Sequence, residues 1–102
     1  MIRVYCREFV TICEYLERGQ CRNNRLYFYV EKEELKQLLD RNHYETSNNK
    51  LKLWKALRWL DADDKHLTKL VFDGESGKRK RIFALRIDVY RALKPIIEAT
   101  KT

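Results

Sequence analysis

A chain of 102 residues that is 44% hydrophobic, 12% aromatic and 36% charged has the size of one domain and enough apolar content for one core, which excludes general disorder. Its longest uncharged apolar run, Leu26 to Val30, falls far short of the roughly 20 residues that cross a bilayer, and Met1 to Arg7 lacks the apolar stretch of a signal peptide. A single domain over 1–102, cytoplasmic and with no membrane partner, is therefore expected.

Phe9, Ile12, Cys13 and Leu16 recur at i, i+3, i+4 and i+7 within residues 4–18, the spacing of one helix face, and Gly19 follows as a carboxy-terminal stop. Gly19 to Arg25 reads as a polar, basic turn. Leu26-Tyr27-Phe28-Tyr29-Val30 is rich in strand formers and too short for a free-standing helix, so one short strand is predicted. Glu31 to Arg41 is dense in helix formers, with Glu33 and Glu34 early, Leu35, Leu38 and Leu39 on one face, and Arg41 at the end, which suits the helix dipole at both ends. After a turn at Asn42-His43-Tyr44-Glu45, Thr46 or Ser47 can cap a third helix running to about Leu60. At about 100° per residue this helix sets Leu53, Trp54, Leu57 and Leu60 on one side and Asn48, Lys52, Lys55 and Trp59 on the other.

Asp61, Asp63 and Asp64 read as turn formers. Leu67 to Phe72 and Lys78 to Ile87 flank Asp73-Gly74-Glu75-Ser76-Gly77 and form a hairpin, in which Phe83, Leu85 and Ile87 alternate with Ala84 and Arg86. Asp88 caps a last helix bearing Val89, Leu93, Ile96 and Ile97, which Pro95 is expected to kink or end. Val89, Leu93 and Ile97 close the core or form the seam of a homodimer, and Thr100-Lys101-Thr102 reads as a frayed tail.

The residues that carry chemistry are sparse. Cys6, Cys13 and Cys21 are odd in number and spaced by seven and eight, which matches neither a disulfide framework nor a close-pair metal pattern. Cys13 reads as a small buried hydrophobe, and His43 and His66, with no clustered partners, as turn or surface residues. Paired carboxylates, a nucleophile with its base, a Gly-rich phosphate loop and a metal cluster are all missing, so the expectation is a non-catalytic protein with no cofactor and no metal.

A formal charge of +7 and a pI near 9.5 favour a polyanionic partner, and the placement of the charge makes that specific. Nine basic residues occupy two short places: Lys50, Lys52, Lys55 and Arg58 in one, and Lys78, Arg79, Lys80, Arg81 and Arg86 in the other. The remaining 13 basic residues face all 15 acidic ones and leave −2. Thr46 to Leu60 holds no acidic residue, whereas a merely solvated helix mixes both signs.

Helix, strand, helix, helix, two-stranded hairpin and a closing helix is an order that resembles winged-helix DNA-binding domains over the whole length. That resemblance implies an α+β fold, with a three-helix core, a short strand, a two-stranded wing and an extra carboxy-terminal helix. It also implies a third helix in the major groove and a wing on the backbone or in the minor groove. Carried onto this chain, Asn48, Asn49, Lys52 and Lys55 face the groove and Lys78, Arg79, Lys80 and Arg81 make wing contacts, with Lys50, Arg58 and Trp59 completing the candidate binding set. Amides such as Asn48 and Asn49 can pair with adenine while lysines neutralise phosphate. Four successive basic residues on a strand alternate faces, so about half can follow one phosphate track.

Trp59, projected onto the basic face, either tucks under the wing or last helix, stacks on an unpaired base, or packs on another protein. Tyr27 and Tyr29 pose the same question and read as core or sheet packing. The partner expected is DNA, duplex or single-stranded. The role is that of a transcription regulator, or of a replication accessory similar to winged-helix proteins encoded beside polymerases, primases and helicases in phages and mobile elements, one of which could then be a protein partner. The alternative is an interaction module docking on an acidic protein.

Overall fold

The computed structural model describes residues 2–19 and 25–99. Cys21, most of the expected basic turn and the expected tail at 100–102 lie outside the described residues. The elements run α1 (Ile2–Arg18), β1 (Tyr27–Val30), α2 (Lys32–Leu39), α3 (Ser47–Ala56), β2 (Leu60–Asp61), β3 (Lys69–Asp73), β4 (Lys78–Arg86) and α4 (Ile87–Ala99). This is an α+β fold of four helices and a four-stranded antiparallel sheet, compatible with a winged-helix-like arrangement. Among the described residues no helix is long and apolar enough to cross a membrane.

Each helix follows from its apolar spacing and its ends. α1 buries Phe9, Ile12, Cys13 and Leu16, and the Gly19 amide closes its last turn on the Tyr15 carbonyl at 3.0 Å. α2 buries Leu35, Leu38 and Leu39 and stops at Leu39 rather than Arg41. Thr46 caps α3, its hydroxyl accepting from the Asn49 amide at 3.2 Å. α4 runs through Pro95 to Ala99, so the proline does not end it.

The third helix is shorter than its periodicity suggests. It ends at Ala56; Leu57 is half exposed, Arg58 takes a left-handed backbone conformation (φ 60°), and the Trp59 amide turns back to the Trp54 carbonyl at 2.8 Å. The reversal sends Leu60 into a strand, paired with Leu85. Burying Trp59 and joining the sheet outweigh the few hydrogen bonds that another helical turn would add.

β4 is the spine of the sheet. β1 pairs with it from Tyr27↔Arg86 to Val30↔Phe83, β2 through Leu60↔Leu85 and Asp61↔Ala84, and β3 from Lys69↔Ile82 to Asp73↔Lys78. Side chains alternate between faces. Phe28, Val30, Leu60, Phe83 and Leu85 form the inner face and enter the core with α1, α2 and α3. Ile82 and Ala84, on the opposite face, are also buried, so β4 packs on both faces although Phe83 and Leu85 alternate with Ala84 and Arg86.

An aromatic cluster joins the helices to the sheet. Phe9 meets Trp54 edge-on at 5.0 Å and Trp59 at 5.2 Å, and Phe28 meets Tyr90 at 5.8 Å. Aromatic pairs of this kind add about 0.5–1.5 kcal/mol each beyond burial.

Candidate nucleic-acid interface

The structure separates the basic residues of α3 into three environments. The buried side of the helix carries Lys50, Leu51 and Trp54. Lys50 is therefore a correction: it is 0% exposed and cannot reach a phosphate. Its ammonium donates to Glu8 Oε2 at 3.2 Å, the Leu39 carbonyl at 2.7 Å and the Asn42 carbonyl at 2.6 Å, which uses all three of its protons. Glu8 also accepts from Asn42 Nδ2 at 3.0 Å and from the Tyr44 hydroxyl at 2.6 Å. The Tyr44 ring lies 4.2 Å below the ammonium, and burial followed by the Glu8 carboxylate pushes the Tyr44 hydroxyl pKa far upward. This network fastens α1, the end of α2 and α3 together.

The outward side carries Asn48, Asn49 and Lys52, all exposed. The Asn49 amide donates to Glu45 at 3.1 Å, whereas no hydrogen bond or ion pair engages the side chains of Asn48 and Lys52 among the described residues. Lys55 is half-buried and structural in part: its ammonium donates to the carbonyls of His66 at 2.7 Å and Asp63 at 3.3 Å. Trp59 is the second correction. At 8% exposure it belongs to the aromatic core, because the helix ends before it and the outer-face projection no longer applies.

The loop between β2 and β3 connects α3 to the wing. Asp63 Oδ2 accepts from the Leu70 amide at 3.0 Å and from Arg81 at 3.1 Å, while Lys55 holds the same loop from the helix side. Asp63 is thus a brace between helix and hairpin, more than a turn former. Asp61 is held by Lys69 at 2.6 Å, and this hydrogen bond keeps its carboxyl below the ordinary range. The same ammonium sits 4.7 Å from the Tyr27 ring, and Tyr27 packs beside Tyr29, so this pair lies on the outer face of the sheet and outside the core.

The wing's four basic residues divide by height as well as by face. At its base Lys80 pairs with Glu31 at 2.6 Å and Arg81 with Asp63. Towards the tip Lys78 and Arg79 are exposed, and among the described residues no ion pair or hydrogen bond engages their side chains. Register puts Leu70 and Phe72 opposite Arg81 and Arg79, on one face of the hairpin. Phe72 is 69% exposed and Leu70 39%. These two were missed in the sequence, although their i, i+2 spacing puts them on one face of a hairpin that outruns the core.

The surface therefore brings together Asn48, Lys52 and Lys55 on α3 and, through Asp63, the Arg79 and Phe72 face of the wing. Among the described residues no group of three or more His, Cys, Asp or Glu side chains could hold a metal ion. Comparison with family models and with curated proteins finds no match for the chain.

Proposed function

We propose that the protein is a non-catalytic, winged-helix-like nucleic-acid-binding domain whose ligand is DNA. The observation that carries this reading is the wing tip, where Arg79, uncommitted among the described residues, shares a face with an exposed aromatic ring, Phe72, and Lys78 stands exposed on the other face, on a hairpin braced to α3. Cations neutralise phosphate and an aromatic face stacks on a base, so the two together suit a polynucleotide better than either alone. On α3, Asn48 reads bases from the groove, Lys52 and Lys55 contact phosphate, and Asn49, tied to Glu45, supports the helix start.

Lys52, Lys55, Lys78 and Arg79 neutralise about four phosphates in this reading, so log affinity falls against log salt with a slope of about −3 to −4. Fluorescence anisotropy on duplex and single strand across about 50–200 mM salt measures it. A flat response removes the proposal. Greater affinity for A/T-rich over random duplex supports a regulator reading through Asn48, and preference for single strands supports a replication accessory acting beside a polymerase, primase or helicase. The exposed Leu70 and Phe72 favour a second reading, a wing that docks on an acidic protein; that reading requires partner binding with no affinity for either nucleic acid.

A further inference from the structure

A second concentration of uncommitted charge lies apart from the wing. A cleft of about 720 Å³ opens where the end of α3, β2, the approach to β1 and the start of α4 meet. Arg25, Arg58 and Arg91 line it, one before β1, one in the turn after α3 and one on the first turns of α4. No ion pair or side-chain hydrogen bond engages these three guanidiniums among the described residues. Two carboxylates also line the cleft, but both are taken. Asp88 is paired with Arg86, and Asp61 with Lys69. What the cleft presents to a ligand is thus the charge of three arginines, with Lys55 at its α3 side.

The turn that supplies Arg58 is built against local preference. A left-handed backbone (φ 60°) is costly for a residue with a Cβ, and such conformations persist where surrounding structure enforces them. The enforcement is visible: Trp59 is buried one residue on, the Arg58 carbonyl accepts from Arg86 at 3.0 Å, and the Trp59 carbonyl accepts from the Arg86 amide at 2.8 Å. With Trp59 locked inward, the Arg58 side chain is exposed at the cleft. Glycine or asparagine would take this turn with less strain, and the arginine found there adds its charge to the cleft.

We propose that this cleft is a phosphate site that takes a backbone phosphate of the nucleic acid bound by α3 and the wing, extending the contact past the carboxy end of α3. Planar guanidiniums bind phosphate oxygens in pairs, and three of them from separate elements surround the anion rather than touch it from one side. Lys55 lines the cleft and also belongs to the α3 surface, so the two sites form one continuous track. The inference rests on the nucleic-acid reading, although a free phosphate group offers the same chemistry.

Amide NMR of the full chain separates these cases, with a duplex and a single strand of about 20 nucleotides and with pyrophosphate as the free-phosphate probe. The expected result is that an oligonucleotide moves the amides of Arg58, Ile87 and Arg91 together with those of α3 and the wing. The triple variant R25Q/R58Q/R91Q then loses the cleft shifts and makes the salt slope shallower by about 1, the share of one phosphate, while K78Q/R79Q keeps the cleft shifts. Should the triple variant fold poorly, R25Q/R91Q alters two exposed side chains only and is expected to make the slope shallower by about 0.5 to 1. If α3 and wing amides move while the cleft stays silent and the slope holds, the cleft inference is overturned and the nucleic-acid reading stands. If no oligonucleotide binds but pyrophosphate moves the cleft amides, the nucleic-acid reading and the backbone-phosphate proposal are both overturned in favour of a free-phosphate site. Silence to every probe overturns both.

Discussion

Replacing Lys50 with alanine removes the ammonium at the centre of the Glu8 network and leaves three groups wanting. Glu8, whose side chain is 3% exposed, keeps the Asn42 and Tyr44 donors but loses its counter-charge. The carbonyls of Leu39 and Asn42 lose a donor in the interior. Breaking a buried pair from one side costs about 3–5 kcal/mol, because the remaining charge has neither water nor partner. Against a total stability on the order of 5–15 kcal/mol this is about a fifth or more, and at about 4–8 °C per kcal/mol it lowers Tm by on the order of 12–40 °C. Urea unfolding followed by tryptophan fluorescence is a direct assay, since Trp54 and Trp59 are both buried and redden when released. Replacing both partners together, as in E8L/K50M, is expected to restore much of the loss, because the uncompensated charge disappears with its partner. A K50A protein within about 0.5 kcal/mol of the parent, but weaker on DNA, would refute the reasoning and return Lys50 to the binding surface.

Phe72→Ala is expected to leave stability within about 0.5 kcal/mol, since the ring is mostly in water. Loss of one stacked base is worth about 1–3 kcal/mol, or roughly 5- to 150-fold in affinity for a single strand; unchanged anisotropy curves would exclude a stacking role. K78Q/R79Q is expected to make the salt slope shallower by about 2 with Tm held, and an unaltered slope would show that the wing tip does not meet phosphate. Asp61 and Asp88 have carboxyl pKa values held below the ordinary 3.8, chiefly by hydrogen bonds from Lys69 and Arg86. Their contribution to stability is therefore present above that ordinary value and is lost as pH falls through the lower folded value. Tm measured from pH 6 to about 2.5 should fall less steeply in D61N/D88N than in the parent, and parallel curves would show that these pairs add nothing.

Much of the architecture is legible along the chain because it depends on neighbours. The apolar spacing of Phe9, Ile12, Cys13 and Leu16, the leucines of α2 and the Thr46 cap act within a turn or two of themselves, and the elements appear where those signals stand. The Gly-flanked turn between β3 and β4 is equally local, with Gly77 at φ 70°. The concentration of positive charge in two segments is likewise a property of the chain alone. Which of those charges face a ligand is not. Lys50 is neutralised by Glu8, Lys80 by Glu31 and Arg81 by Asp63, partners 42, 49 and 18 residues away. The end of α3 was decided the same way, by a core that draws in Trp59 and a strand that claims Leu60. Local periodicity thus determined most of the elements and the sign of the surface, while the end of α3 and the short strand β2 came from packing. Only packing decided which cations were spent inside the fold and which were left for solution, because burial and ion pairing are set by contacts between residues far apart in the chain.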